Sequence, residues 1–165
     1  MIENWQRALD FNLGWEGGWA ERKEEPGGAV NHGISMLAYR EFRKRKGRGE
    51  PSFHSLQHIN DEEVSEFYKE RADQIGFDDL PSGYDLALFN ASTMFGVTGA
   101  KEFHTKAKDD LGYLMVLQME DKMNRPSVAK FGKGWAKRFR ITYITAKDMA
   151  TQDIQANRPG TVDEA

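Results

Sequence analysis

The chain has 165 residues, no cysteine, and a formal charge of −3 from 23 basic and 26 acidic side chains. The missing cysteine excludes disulfide scaffolds, thiolate zinc sites and cysteine nucleophiles, and a net-negative chain is a poor general binder of nucleic acid. With 39% apolar and 12% aromatic residues it reads as a globular chain and not as a disordered one.

In chain order, Ile2, Trp5, Leu9 and Leu13 fall near one helical face and predict an amphipathic helix over 2–14. Gly14, Gly17 and Gly18 end that pattern. Residues 19–33 hold Pro26, Gly27, Gly28 and Gly33, which predicts an irregular insert with a short hairpin. A second helix is expected over Ser35–Lys46, broken by Gly47–Ser52. Asn60 and Glu63 have the spacing of a capping box, ahead of an apolar stripe of Val64, Phe67, Tyr68, Ala72 and Ile75. After a turn at Leu80–Gly83, the most apolar helix runs from Tyr84 to Phe95, punctuated by Gly96 and Gly99. Further helices are expected over Ala100–Lys108, Tyr113–Lys122 and Lys133–Met149, with a loose polar tail from Thr151 to Ala165. The fold class is mainly α.

No apolar run approaches the roughly 20 residues of a membrane-spanning helix. The segment Met1–Trp15 has no basic start, apolar core or small-residue cleavage site. The expectation is a protein made in the cytoplasm, without stable membrane insertion.

Chemistry is concentrated at the end of the first helix. Glu16 stands between Trp15 and Trp19 and is followed by Gly17-Gly18; Glu25 follows nine positions later, ahead of Pro26-Gly27-Gly28. Glycosidic cleavage needs a protonated acid and a second group that stabilises or traps the positive sugar, and two carboxyls across a cleft supply both. A carboxyl packed against an indole has its charged form poorly solvated, which favours the protonated state. Glu16 fits the acid and Glu25 the ionised partner, with Glu24 and Glu21 as substitutes. The glycines allow close backbone approach to a sugar chain, and Trp15 and Trp19 offer rings that stack on sugar faces.

These motifs resemble glycoside hydrolase family 108, the bacteriolytic N-acetylmuramidases of phages and bacteria. Glu16-Gly17-Gly18 is similar to the family's E-G-G. Glu25-Pro26-Gly27-Gly28 is similar to its acid-P-G-G, and Asn31-His32-Gly33-Ile34-Ser35 to its N-x-G-I-T. The likeness continues through Asp79–Asp85, Ala87–Asn90 and Gly96-Val97 to the F-G-x-G-W-x-x-R element at Phe131–Arg138. It therefore spans roughly residues 5–148. It implies a lysozyme-like helical domain over 1–150, with 95–150 as a reduced peptidoglycan-binding segment. The implied activity is that of an endolysin cutting the β-1,4 bond between N-acetylmuramic acid and N-acetylglucosamine. Glu16 matches the family's acid and Glu25 its partner. The implied substrate contacts are Trp15, Gly17, Gly18, Trp19, Gly27, Gly28, Asn31, His32 and Asn90. No cofactor or metal is implied. The partners are peptidoglycan and, for release, a holin; the wall is reached that way or as a virion component.

The chain departs from the family at Glu25 (usually Asp), Val30 (Thr), Asn90 (Asp) and Met94 (Asn), and is shorter between Gly99 and Phe131. Two rival readings keep the fold. A lytic transglycosylase uses one acid on the same bond. A non-catalytic protein binds peptidoglycan or builds the virion. Outside the motif, His54 and His58 at four-residue spacing read as surface histidines, an incomplete metal site. The basic run from Arg40 to Arg48 reads as a solvated helix end or an attraction to anionic wall polymers. Met115, Met119 and Met123 read as core positions, and Trp135 as the anchor of the last helix.

Overall fold

Helix α1 (Ile2–Leu13) ends where Gly14 begins a turn, as its glycines predict. Its inward face differs slightly from the sequence expectation. Ala8, Leu9 and Asn12 are buried, whereas Leu13 is only half-buried. The chain, seen here as a computed structural model, is described over residues 2–21 and 28–156. Among the described residues it holds seven α-helices and three short strands. The chain parts into two units, Leu9–Ala72 and Met1–Ala8 with Asp73–Ala165.

In the unit Leu9–Ala72, strands β1 (Ala20–Glu21), β2 (Ala29–Asn31) and β3 (Ile34–Ser35) form an antiparallel sheet in that order. Val30 lies opposite Ala20 on one side and Ser35 on the other. The expected hairpin is thus present, with His32 and Gly33 as its two-residue turn at φ 48° and 74°. Positive φ at both central positions gives a two-residue turn the twist that matches its strands.

Ser35 then caps α2 (Met36–Arg45), its hydroxyl accepting from the Ala38 N–H at 3.3 Å. A short helix that the sequence reading does not anticipate, α3 (Phe53–Gln57), follows with Ser52 and Ser55 as a reciprocal capping box. Helix α4 (Asp61–Gln74) buries the expected stripe of Val64, Phe67, Tyr68 and Ala72. Phe67 meets Phe42 of α2 edge to face at 5.4 Å.

Asn60 and Glu63 make only half of the predicted capping box. The Glu63 N–H donates to Asn60 Oδ1 at 2.8 Å. The Glu63 carboxylate instead accepts from Tyr39, Arg43 and Arg48 at 2.8, 3.3 and 3.1 Å. The basic run pairs within the fold: Arg48 and Lys46 with Glu66, Arg45 and Lys46 with Glu70, and Arg40 with Glu50. These pairs neutralise much of the run, which favours the solvated-helix reading over a free cationic patch.

The other unit is organised by α5 (Tyr84–Ala107). Residues Tyr84 to Ser92 are all buried, the pattern of a helix enclosed on every side. Trp5 of α1 meets Phe77 and Phe89 edge to face at 5.8 and 5.3 Å. Asn4 donates to Ser82 Oγ and Asp85 Oδ2 at 3.1 and 3.0 Å. Gly96 breaks α5 with φ 77° and ψ 166°, conformations that suit only a residue without a Cβ.

Helix α6 (Leu111–Met123) is capped by Asp110, whose Oδ1 accepts from the Tyr113 N–H at 2.8 Å. Its buried face is Leu114, Met115, Gln118 and Lys122. Met119 and Met123 are 39% and 50% exposed, so only Met115 of the expected methionine stripe is core. The inward stripe rises through 114, 118 and 122, which turns 119 and 123 outward.

Lys122 is drawn into this unit. Its Nζ lies 4.4 and 4.9 Å from the ring centres of Phe95 and Trp135 and donates to the Met94 carbonyl at 3.4 Å. That carbonyl stands just before the break at Gly96, where a helix end offers acceptors to a cation. Burial, then the neighbouring Arg125, holds the Lys122 pKa below the ordinary lysine value. The two rings and the carbonyl favour the charge that burial disfavours. Trp135 belongs to α7 (Val128–Ala156), which starts before the expected Lys133. It also carries residues 151–156 in helix, where a loose tail was expected.

Candidate active site

The turn after α1 places Glu16. Its N–H and that of Trp15 both donate to the Asn12 carbonyl, at 3.2 and 3.0 Å. Asn12 is fully buried, so the turn is fixed from within. Trp15 is half-buried and meets Phe11 edge to face at 6.3 Å. Trp19 is half-buried at the entrance to β1. Gly17 and Gly18 are exposed, and a Cβ on either meets nothing among the described residues within 4 Å. They lie exposed in sequence directly after Glu16.

The Glu16 carboxylate is brought to the β2–β3 turn. A Cβ built on Gly33 would stand 2.7 Å from Glu16 Oε2, 2.9 Å from Glu16 Cδ and 2.8 Å from the Tyr68 hydroxyl oxygen. The carboxyl and the phenol oxygen thus flank one bare Cα. The Tyr68 hydroxyl donates to the His32 carbonyl at 2.6 Å. Arg71, one turn further along α4, holds its guanidinium 5.6 and 6.0 Å from the ring centres of Phe67 and Tyr68. Burial lowers the Arg71 pKa, and the charges of Tyr68 and Glu16 oppose that shift. Glu16, Gly33, Tyr68 and Arg71 therefore form one cluster within the unit Leu9–Ala72.

The remaining candidates are placed as follows. His32 is half-buried in the turn, in the left-handed region. Gly28 is at φ 71°, and a Cβ built there would stand 3.9 Å from Phe53 Cζ. Asn31 is 4% exposed, and its amide donates to the Leu56 and Gln57 carbonyls at 3.0 and 3.1 Å. Expected from sequence among the substrate contacts, it anchors α3 to the sheet through its amide. Asn90 lies in the other unit, is fully buried, and accepts from Thr142 Oγ1 at 3.5 Å. Glu25, the expected second carboxylate, its neighbour Glu24 and Gly27 lie outside the described residues; Glu21, the other substitute, is exposed in β1. Val30 is half-buried in β2 and brings no hydroxyl, while that of Ser35 is engaged in capping α2. His54 and His58 are exposed with rings 4.3 Å apart.

Tyr68 and Arg71 were not singled out from sequence as site residues. The available signal was a tyrosine on a buried stripe, whose hydroxyl needs a partner when the ring goes inside.

The glycosyl hydrolase 108 family model matches residues 9–96, more than half of the chain. The chain belongs to glycosyl hydrolase family 108. The match takes in Glu16, the hairpin and Tyr68. The fold is similar to that of Brucella abortus SagA, with a TM-score of 0.76 at 20% sequence identity over 91% of this chain and 97% of that one. No curated protein matches the chain. As a glycosyl hydrolase of family 108 it has its candidate acid on a helix exit and its turn glycine in a sheet. That arrangement agrees with the mainly helical, lysozyme-like fold expected from the motifs.

Proposed function

We propose that this family 108 protein hydrolyses peptidoglycan at the β-1,4 bond between N-acetylmuramic acid and N-acetylglucosamine, with Glu16 as the general acid. The observation that carries the reading is the Glu16 carboxyl, seated against Gly33 and Tyr68 and followed in sequence by the exposed Gly17 and Gly18. A seated carboxyl can deliver its proton to the glycosidic oxygen as the C1–O bond breaks; water then adds at C1 and gives up a proton to a second group. Glu25 is the proposed second group. Trp15, Trp19, Gly28 and His32 are the proposed sugar contacts. A role in bacterial lysis, with release through a holin-type pore or action as a virion component, belongs to the same proposal. No helix among the described residues is long and apolar enough to cross a membrane.

Digestion of purified sacculi by the wild type and by Glu16→Gln, with mass spectrometry of the soluble products, tests it. Fragments ending in reducing N-acetylmuramic acid, absent with Glu16→Gln, are expected. Anhydro ends would make the protein a lytic transglycosylase, a reading to which Val30 lends weight. Binding to sacculi without release would make it a non-catalytic wall-binding protein.

A further inference from the structure

We propose that Tyr68 is a positioning residue for Glu16: its hydroxyl locks the His32 carbonyl and so fixes the glycine seat on which the Glu16 carboxyl rests. The inference builds on the hydrolase reading above and adds a residue to that site.

The turn needs such a lock. His32 adopts φ 48°, a region that a residue with a Cβ occupies under strain unless its surroundings hold it there. Among the described residues, hydrogen bonds reach this turn from two sides. On one side, the preceding Asn31 is bonded through its amide to the end of α3. On the other, the His32 carbonyl takes the Tyr68 hydroxyl at 2.6 Å, within the short range for an O–H···O bond. The lock is rigid because the ring is gripped. Tyr68 is 2% exposed, meets Phe67 edge to face at 5.3 Å and lies under the Arg71 guanidinium.

The hydroxyl also borders the seat itself. It is 2.8 Å from the position of a Gly33 Cβ, and Glu16 Oε2 is 2.7 Å from the same point. Movement of the turn would therefore move the surface that limits the Glu16 carboxyl. A phenylalanine would fill the same apolar stripe, so the hydroxyl is the feature that packing alone does not require. A misplacement of about 1 Å at a reacting group can cost about 100-fold in rate.

The test compares Tyr68→Phe with Tyr39→Phe. Tyr39 is 1% exposed in the same unit, donates to Glu63 at 2.8 Å and accepts from Arg43 at 3.1 Å, so Tyr39→Phe removes a bonded, buried hydroxyl away from Glu16. Both variants, the wild type and Glu16→Gln are assayed for kcat and KM on soluble glycan strands from peptidoglycan, and for thermal midpoint. Both tyrosine variants should lose thermal midpoint to a similar degree. Only Tyr68→Phe should lose kcat, about 10-fold or more, with KM within about twofold. Wild-type kcat in Tyr68→Phe, or equal kcat losses in the two variants, would overturn the positioning role. If Tyr68→Phe does not fold, adding His32→Gly relaxes the left-handed turn, and the double variant should fold with a kcat below that of His32→Gly alone. A double variant with the kcat of His32→Gly alone overturns the role equally. An inactive wild type, or an active Glu16→Gln, would overturn the hydrolase reading instead.

Discussion

Glu16 and Gly33 are in a contact that leaves no room for a side chain: the carboxylate oxygen stands 2.7 Å from where a Gly33 Cβ would be. Gly33 also has φ 74°. Gly33→Ala is therefore expected to act twice. Backbone strain should lower stability by about 1–3 kcal/mol. The added methyl should displace the Glu16 carboxyl, the flexible partner, before it displaces the clamped Tyr68 phenol. Hydrolysis by the folded variant should fall by about 100-fold. Urea unfolding together with a sacculus assay reads both effects, and a variant with lowered stability but wild-type turnover would contradict the seat.

The buried carboxyl of the other unit makes a prediction about pH. Asp85 is 2% exposed and accepts from the Gly83 and Leu86 N–H groups at 2.8 and 2.6 Å and from Asn4. Burial raises its pKa above the ordinary 3.8, although these three hydrogen bonds pull the other way. A raised folded-state pKa means that the native protein holds this proton more tightly than the unfolded chain does. Its contribution to stability is fully present below the ordinary value and is lost as pH rises through the folded value. Asn at position 85 keeps an oxygen for the two N–H groups and has no proton to lose. The stability of the wild type relative to Asp85→Asn should thus decline as pH rises from 3.8 and then level off. Paired urea titrations between acid and neutral pH check this; a difference independent of pH would refute it.

Lys122 joins the broken helix to the aromatic pair. Its amine lies between Phe95 and Trp135 and bonds the Met94 carbonyl that precedes Gly96. Lys122→Ala should cost about 2–3 kcal/mol, combining lost cation–π attraction, a released carbonyl and lost stem packing. Lys122→Arg should recover part of it. Denaturant unfolding with tryptophan fluorescence follows the loss, and a cost below about 0.5 kcal/mol would make the arrangement incidental.

Local chemistry was legible where it acts over a few residues. The exit of α1 follows from Gly14, Gly17 and Gly18, a turn-rich insert from Gly28 and Gly33, and the break in α5 from Gly96. The Glu16 motif and its family likeness also lie in neighbouring residues, so spacing alone was enough to find them. The inward stripe of α4 followed from periodicity for the same reason.

Elsewhere one local pattern competed with distant partners. Glu63 has the spacing of a cap residue, yet its carboxylate goes to Tyr39 and to the guanidiniums of Arg43 and Arg48, because the two ionised donors bind a carboxylate more strongly than a neutral N–H does. Asn31 and Asn90 look like exposed polar contacts in a motif, but a buried amide must find partners, and theirs are inside the protein. Tyr68 is written as one more apolar position on a helix. Only the folded chain brings its hydroxyl to the His32 carbonyl, 36 residues away in sequence. The sequence by itself thus determined most of the helices, their glycine breaks and the place of Glu16 after the first helix, since propensity and spacing are short-range. The tertiary structure decided which polar groups are bonded inside the core and which meet at the β2–β3 turn, because burial compels each donor and acceptor to choose a partner that only folding supplies.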